Sequence, residues 1–484
     1  MADTTDFSAG SPLRPGVWIT PGRIIVGILA AIAVLGAMGG AASAAEQMYP
    51  EVAGTIRNTD GNPISNAWVT DGENYTFADQ QGNFYFDNGK VLPGDSLIIS
   101  SAGYEQLLVV APDNGNAVDV VMSPYSVRGL YFNPNISNNP QTVANYIQIA
   151  KTTEVNAVVI DVKENVVYFD TDNPLFQEAN MVVPILDLPW LLEEFRSNGI
   201  YTIARIVVFK DSPVAELHPE YAVKDTLTGK LWRDQNGAAW VNPMSRPMWE
   251  ANISLAEEVI ALGFDEVQYD YIRFPTDGNM ARADFGGPVT AEDRESAIED
   301  FLQISRDRLI PLGGRQSADV FGYTTVIDHD LGIGQNFQQV SKTVDYISPM
   351  IYPSHWPKGS LYGIPGHPNE YPYLTVQISM GEAVKQLDGN RVQLRPWLQD
   401  FGMHGMRTYS AADVKAQIDA VNDLGINNWL IWSPSNFFHT GAFAPDTTKD
   451  IVPTVEPGPE PVIVPIQSSL RQMLRSRTWP TVSH

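Results

Sequence analysis

Carboxylate, arginine and aromatic side chains recur where the apolar segments of this sequence end. Asp161 and Lys163 alternate in one such segment, Arg205 lies in the next, and Asp270 and Arg273 end the one after. Because alternate residues of a strand face the same side, Asp161, Arg205 and Asp270 could converge if these segments are neighbouring strands. An arginine beside an aspartate keeps the carboxyl ionised, as a nucleophile or base requires. A buried ion pair with a purely structural role is the alternative.

We predict Asp270 to be the catalytic carboxylate. Hydrolysis of a glycosidic bond needs two carboxyl groups, one that protonates the departing oxygen and one that attacks or activates water. Glu164 and Asp400 lie near the ends of other apolar segments and are the candidates for the second group. The fifth apolar segment, 318–325, ends in Gly-Tyr-Thr-Thr at 322–325, and we expect it to supply no carboxylate. The choice of acid therefore stays open between Glu164 and Asp400.

Aromatic side chains accompany these acids. Sugar rings have apolar C–H faces that stack on Trp and Tyr, and hydroxyl groups that hydrogen-bond to polar side chains. The chain has 11 Trp, and several of them fall at predicted strand ends. The residues that we predict to bind substrate are Tyr131, Asp161, Lys163, Arg205, Trp240, Arg273, Tyr352, Trp356, Trp397 and Trp432.

Thiol and metal chemistry have little support in the sequence. The chain has no Cys, which excludes disulfides, thiolate ligands and thiol catalysis. His355, His367 and His404 show neither the His-x-His nor the His-Glu-x-x-His spacing of metal hydrolases. We therefore predict no metal and no cofactor, with a metal-dependent deacetylase as the weaker alternative.

Eight β-rich apolar segments alternate with helical ones between 127 and 437. The strand segments are 128–132, 156–164, 201–211, 264–275, 318–325, 344–353, 392–401 and 427–436. Apolar residues recur every three to four positions between them, which is typical of helices. The alternation predicts an α/β fold, a (β/α)8 barrel, with its active site at the carboxyl ends of the strands. An open doubly wound sheet is the alternative, but no glycine-rich turn follows the first strand.

The N-terminus carries an uncharged run long enough to cross a membrane. Residues 1–22 are polar, and 23–45 contain the uncharged run. About 20 apolar residues span a bilayer as a helix. We expect an uncleaved single-pass anchor in the cell membrane, with the bulk of the chain extracellular. A cleaved signal peptide ending at Ala42-Ser43-Ala44, and hence a secreted product, is the alternative.

Residues 50–123 show short alternating strands separated by turns, which predicts a small β-sandwich. The pattern resembles that of the carboxypeptidase regulatory-like, or transthyretin-like, domain at Gly54, Gly61, Pro63, Ala67, Val69, Gly82 and Phe84. The resemblance implies a non-catalytic spacer or surface-binding module, whose deletion is expected to leave the barrel folded. At the other end, residues 450–484 form a proline-rich tail to which we assign no function.

The segment 127–437 resembles an uncharacterised family of glycoside hydrolase-like barrel domains in bacterial surface proteins. Its landmarks are VRGLYF, NAVVIDVKE, the Trp-Val-Asn-Pro that begins at Trp240, VQYDYIRFP and DYISPMIYPSHW. The resemblance implies hydrolysis of O-glycosyl bonds by a carboxylate pair centred on Asp270.

Three positions, Met350, Tyr352 and Trp432, also resemble those of chitinase-type barrels. Those enzymes keep a catalytic Glu where this chain has Ile272. Their substrate-assisted mechanism is therefore not implied for this chain.

The formal net charge of -25 limits the partners. So acidic a surface repels nucleic acid and other polyanions, which excludes nucleic-acid binding. A polysaccharide or cell-surface glycan is the expected substrate, and the membrane is the expected second partner. A non-catalytic carbohydrate-binding or wall-tethering protein on a degenerate barrel is the alternative function.

Overall fold

The computed structural model describes most of the chain beyond residue 51. The described residues are 52–87, 90–92, 94–112, 117–387 and 392–446, with the backbone of a short strand at 464–465. They belong to the larger of two compact units, Met48–His484. The membrane-anchor prediction for 23–45 lies outside the described residues, as do 1–22 and, apart from that strand, 450–484. Within the described part, no helix has both the length and the hydropathy that a membrane crossing needs.

Two small β-sheets precede the barrel and share one apolar core. Their strands are β1 (Val52–Asn58), β2 (Trp68–Thr70), β3 (Tyr75–Phe77), β4 (Asn83–Phe86), β5 (Ser96–Ser100), β6 (Leu107–Val110) and β7 (Val118–Met122). One sheet has the order β4-β1-β7, and the other runs β3-β2-β5-β6. In β4, Phe84 and Phe86 are buried while Asn83 and Tyr85 are exposed, the alternation of a sheet that covers a core on one face. The carboxypeptidase regulatory-like assignment stays a prediction.

The second region is a closed barrel of parallel strands. The strands that follow the sandwich are β8 (Arg128–Phe132), β9 (Ala157–Lys163), β10 (Tyr201–Val207), β11 (Lys224–Asp225), β12 (Glu266–Asp270), β13 (Ala283–Asp284), β14 (Arg315–Phe321), β15 (Tyr346–Ile351), β16 (Gln393–Leu394), β17 (Trp397–Gln399), β18 (Trp429–Trp432) and β19 (Val464–Pro465). β11 and β13 pair with each other outside the barrel, and β19 pairs with β6. The remaining strands occupy eight positions, with β16 and β17 sharing the seventh.

Pairing of β18 with β8 and of β14 with β15 closes the barrel. The predicted (β/α)8 barrel is thus confirmed, and the open doubly wound sheet is excluded.

Helices surround the barrel. The α-helices among the described residues are α1 (Pro140–Thr152), α2 (Pro174–Glu178), α3 (Leu188–Ser197), α4 (Ser212–Leu217), α5 (Arg246–Leu262), α6 (Ala291–Leu309), α7 (Phe337–Thr343), α8 (Pro372–Gln386) and α9 (Ala411–Asn422). Their apolar faces pack on outward-facing strand residues such as Val158 and Ile160. Helix α5 ends at Gly263, whose φ of 123° is a conformation that glycine adopts without strain.

The fifth barrel strand differs from the sequence expectation. It spans Arg315–Phe321 instead of 318–325, and Gly322–Thr325 forms a 3-10 turn. The strand begins with polar residues that lie outside the predicted segment, yet Arg315 and Ser317 are buried. The consequence is that Asp319 lies near the carboxyl end of this strand. The expectation that the fifth strand supplies no carboxylate is therefore wrong.

The sandwich covers the amino-terminal end of the barrel strands. Arg315 begins β14, and its Nε and Nη2 donate to Ser100 Oγ at 2.9 Å and to the Tyr104 carbonyl at 2.8 Å. The backbone N–H of Gly103 donates to the hydroxyl of Tyr346, which begins β15, at 3.3 Å. Trp68 and Ile98 of the sandwich pack with Ile310, which follows α6. The opposite end, where the carboxyl ends of the strands lie, is left open.

Candidate active site

A cavity of about 680 Å³ opens at the carboxyl ends of the barrel strands. This is the end at which barrels of this type carry their active sites. Its lining is acidic, basic and aromatic at once. The lining residues include Arg205, Lys210, Asp270, Tyr271, Arg273, Asp277, Asp319, Phe321, Tyr323, Gln335, Met350, Tyr352, His355, Trp356, Trp397, Phe401 and Trp432.

Arg205 stands at the centre of a cluster of four carboxylates. Its Nη1 lies 2.5 Å from Asp161 Oδ1 and 3.6 Å from Glu164 Oε1. Its Nη2 and Nε donate to Asp270 Oδ2 at 2.5 and 3.1 Å. The same Nε lies 3.8 Å from Asp319 Oδ2. The predicted convergence of Asp161, Arg205 and Asp270 is thus present, and Asp319 joins it.

Strand register brings the two central acids together. Arg205 on β10 pairs with Gln268 on β12, and Gln268 pairs with Ser317 on β14. Tyr269 then pairs with Ala318, so Asp270 and Asp319 occupy the next level of two neighbouring parallel strands. Neighbouring strands lie about 4.8 Å apart. The barrel therefore holds two carboxyl groups side by side at the cavity floor.

The two acids differ in environment. Burial and the charge of Asp270 raise the pKa of Asp319 well above its usual range, against the opposing effect of Arg205. Trp397 Nε1 donates to Asp319 Oδ1 at 2.8 Å and holds the carboxyl in place. Asp270 receives two guanidinium hydrogen bonds, and its Oδ1 accepts from the Tyr271 N–H at 2.6 Å. Asp319 thus has a raised pKa, while the neighbouring Asp270 accepts hydrogen bonds from Arg205 and from the Tyr271 backbone.

Asp161 lies behind Arg205 and does not line the cavity. Burial raises its pKa to about 6, with Arg205 and the Tyr131 hydroxyl acting in the opposite direction. Tyr131 donates to Asp161 Oδ2 at 2.6 Å. Asp161 and Tyr131 therefore fix the position of the Arg205 guanidinium.

The two predicted partners of Asp270 have other neighbours. Glu164 accepts a hydrogen bond from Tyr168 at 3.0 Å, and its side chain is 38% exposed. Asp400 is buried against His439, whose backbone N–H and Nδ1 lie 2.8 and 2.6 Å from its carboxylate oxygens. Glu164 is therefore at the edge of the Arg205 cluster, and Asp400 is held by a residue outside it.

Lys163 does not share the direction of Asp161, because the register between β9 and β10 shifts after Arg205. Its buried ammonium lies 2.8 Å from Asp211 Oδ2 and donates to the Val207 carbonyl at 2.6 Å. The structure thus directs this predicted substrate-binding residue towards a structural ion pair.

An aromatic wall surrounds the acids. Trp432 packs on Tyr131 with ring centroids 4.0 Å apart, and the Arg205 guanidinium lies 5.2 Å from the Trp432 ring. Trp397 meets Trp432 edge to face at 5.5 Å. On another side Trp356 stacks on Tyr323 at 4.5 Å and an interplanar angle of 22°. Trp356, Trp397 and Trp432 thus gather around one cavity, as the sequence predicts.

Tyr352 lies on the same side of the cavity as His355 and Phe401, with centroids 5.4 and 5.5 Å from its own. Burial lowers the pKa of His355, so its imidazole is neutral near pH 7. This part of the wall is therefore aromatic and uncharged.

A second wall follows strand β12. Arg273 is buried and lies over the rings of Trp240 at 4.8 Å, Phe321 at 4.7 Å and Tyr271 at 5.4 Å. Tyr271 has a φ of 52°, a conformation that is rare for a residue with a side chain and is found at functional sites. Trp240 is fully buried beneath Arg273 and does not line the cavity. It supports this wall from behind.

Asp319 is the functional candidate that the sequence reasoning missed. A short period-two signal was available only at the end of its strand, because Ser317 and Asp319 alternate with the apolar Ala318 and Val320. Ile272 stands where chitinase-type barrels keep a catalytic Glu, and it is fully buried. The structure thus agrees with the expectation that the mechanism of those enzymes is not implied for this chain. No group of three or more His, Asp or Glu side chains in the described residues is arranged to hold a metal ion.

The model of a family described as "Putative glycosyl hydrolase domain" matches residues 129–438. A search of curated proteins found no match. Among solved structures, the chain is similar to a hypothetical protein from Ruminiclostridium thermocellum ATCC 27405, at 32% identity and a TM-score of 0.36, covering 40% of this chain and 97% of that one.

Two further structures are more distant in sequence. The PgaB (BpsB) glycoside hydrolase domain from Bordetella bronchiseptica is 13% identical, with a TM-score of 0.49 over 69% of this chain and 100% of that one. A class V chitininase from Pseudomonas fluorescens Pf-5 is 10% identical, with a TM-score of 0.42 over 66% and 98%. At these TM-scores the structural similarities carry no functional argument. The family match spans nearly the whole barrel and more than half of the chain, so the chain belongs to the family described as "Putative glycosyl hydrolase domain", and its barrel is of the glycoside hydrolase class.

Proposed function

We propose that the barrel hydrolyses a polysaccharide, with Asp270 as the ionised carboxylate and Asp319 as the general acid. The observation that carries the proposal is the pairing of these two carboxyl groups at one level of neighbouring strands, around a shared arginine nitrogen. Glycoside hydrolysis requires two such groups in opposite protonation states. The family membership of the barrel supports the same class of reaction.

In this mechanism Asp319 gives its proton to the glycosidic oxygen while the bond from that oxygen to the anomeric carbon breaks. Asp270 either attacks the anomeric carbon or removes a proton from the water that attacks it. Arg205 holds Asp270 by two hydrogen bonds, and Asp161 and Tyr131 keep Arg205 in place. Both carboxyls are thus assigned a role that their surroundings favour.

The proposed substrate is a polymer of sugars, either a cell-surface glycan or an environmental polysaccharide. Trp432 and Tyr323, which stacks on the buried Trp356, are partly exposed rings of the cavity on which the apolar side of a sugar can stack. The cavity of about 680 Å³ is large enough for a few sugar units. We further propose that the apolar run within 23–45 anchors the chain in the cell membrane, with the barrel extracellular.

A second candidate function is glycan binding without hydrolysis. It is favoured by the engagement of Asp270 Oδ2 by two nitrogens of Arg205, an arrangement that a buried structural ion pair shares. In that case the acids and aromatic rings hold a sugar chain and break no bond.

The test is a screen of polysaccharides for release of new reducing ends, with the natural chain, Asp270→Asn and Asp319→Asn compared throughout. Hydrolysis by the natural chain and its loss in both variants supports the proposal. Tight binding of a glycan with no cleavage by any of the three proteins leaves the binding function in its place.

A further inference from the structure

Lys210 is a cavity-lining cation that pairs with no carboxylate of the described residues. It follows the third barrel strand, and the neighbouring Phe209 N–H donates to the Tyr271 carbonyl at 3.2 Å, which holds this segment beside the top of β12. Its ammonium lies 5.1 Å from the Tyr271 ring and 6.0 Å from the Trp240 ring. Within the described ranges it makes no hydrogen bond and no ion pair.

The nearest acid in the sequence is committed elsewhere. Asp211 is fully buried, pairs with Lys163 at 2.8 Å, and accepts the Val214 N–H at 3.1 Å at the start of α4. Asp211 is thus paired with Lys163 and not with Lys210. The fold leaves one lysine satisfied and directs the other towards the cavity.

The other charges of this wall nearly cancel. Arg273 lies over the same two rings as Lys210, and its Nη2 donates to the exposed carboxylate of Asp277 at 3.3 Å. The Arg273–Asp277 pair is neutral as a unit, so Lys210 leaves an excess positive charge on this wall. The acids of the Arg205 cluster lie instead on β12, on β14 and at the end of β9.

We propose that Lys210 and Arg273 bind an anionic group on the glycan, so that the substrate class is an acidic polysaccharide. This inference rests on the proposed function, since it assigns the substrate of the same cavity. The shared chemistry is a carboxylate or a sulfate on a sugar next to the bond that is broken. Arg and Lys donors are the partners that such anions prefer.

The acidity of the whole chain does not oppose this assignment at short range. Charges on the surface are screened beyond about 8 Å at physiological ionic strength. The anion would meet Lys210 and Arg273 at hydrogen-bond distance, which is shorter than this screening length, and the net attraction would come from the ammonium of Lys210.

The experiment measures binding separately from hydrolysis. It uses the full chain with Asp319→Asn, because asparagine is neutral like the protonated acid and cleavage is suppressed. Hexamers of glucose, galactose and mannose serve as probes in three forms: neutral, oxidised to uronates and sulfated. Dissociation constants are measured by calorimetry for this protein and after adding Lys210→Met, Lys210→Arg or Lys151→Met. Lys151 is an exposed lysine of α1 and controls for the loss of one charge.

We expect at least one acidic hexamer to bind more tightly than its neutral counterpart, with about a tenfold loss in Lys210→Met. Lys210→Arg should retain the preference, and Lys151→Met should not change it. A preference for uronates or for sulfated sugars identifies which anion is bound.

Equal binding of neutral and acidic hexamers, equal affinities in the Lys210→Met and Lys151→Met proteins, or no binding by any acidic hexamer overturns the inference. Hydrolysis of a neutral glycan together with any of these results leaves the proposed function intact. If acidic hexamers bind preferentially but the natural chain hydrolyses no glycan, the anion-binding assignment stands and the proposed hydrolysis fails.

Discussion

Asp270 and Asp319 lie at one level of adjacent barrel strands, and both approach the Nε of Arg205, at 3.1 and 3.8 Å. A single arginine cannot neutralise both of these carboxylates together with Asp161. Burial and the charge of Asp270 raise the pKa of Asp319, so a proton that relieves the excess negative charge is expected on Asp319. The ion cluster therefore supplies the two carboxyl groups of the proposed acid–base pair.

Asp319→Asn removes the proposed proton donor without a change of shape. Hydrolysis of substrates with poor leaving groups should fall by about 10²–10⁴-fold, the usual contribution of a general acid. Aryl glycosides with acidic leaving groups need little protonation and should lose far less. The natural chain should lose activity as the pH rises through the raised pKa of Asp319, and this alkaline limb should be absent in the variant. Steady-state kinetics across leaving groups and pH check both effects, and an equal loss for all leaving groups would exclude Asp319 as the acid.

Asp270→Asn tests the other carboxyl. We expect turnover to fall by several orders of magnitude, because nucleophile or base character is lost while the side-chain shape is kept. Arg205 retains Asp161, so the loss of stability should stay below the roughly 3–5 kcal/mol of an orphaned buried charge. Melting temperature and turnover are measured on the same sample. Asp300→Asn is the control, since Asp300 is an exposed residue of α6 that pairs with Arg246 away from the cavity. Large destabilisation with turnover retained in the folded fraction would make Asp270 a structural residue.

The sandwich is expected to stabilise the barrel, contrary to the spacer prediction. Trp68 and Ile98 bury Ile310, and Arg315 bonds to Ser100 and Tyr104, so a chain that begins at Pro124 exposes this end to water. Ile98→Ala in the full chain should lower the free energy of unfolding by about 2–5 kcal/mol. Val121→Ala is the control, because Val121 is 55% exposed on the same region. Denaturant unfolding measures both variants. If the chain that begins at Pro124 melts at the temperature of the full chain, the sandwich is a spacer after all.

The sequence predicted the barrel and the place of Asp270 at the end of its fourth strand for physical reasons. Apolar strands alternating with amphipathic helices have few other solutions, and Asp270 ends an apolar strand whose limits are plain. Asp319 was missed because β14 begins with the polar residues Arg315, Gln316 and Ser317, which do not show the apolar pattern expected of a buried strand. Those residues are tolerated in the interior because tertiary partners satisfy them, as when Ser317 donates to Glu266 at 2.5 Å. Such partners come from distant positions in the chain, so no local pattern shows them.

Trp397 offers the finest test of the acid assignment. Its Nε1 donates to Asp319 Oδ1 at 2.8 Å, a bond that favours the carboxylate and lowers the pKa of Asp319 against the effect of burial. Trp397→Phe removes the donor but keeps an aromatic ring, so the pKa of Asp319 should rise further. Because activity needs Asp319 protonated, the alkaline limb of the pH–rate profile should move to higher pH. A Trp432→Phe variant is the control, since Trp432 packs edge to face on Trp397 without a bond to Asp319. The limb is measured from kcat/KM, and an unmoved limb in Trp397→Phe would mean that another group sets it.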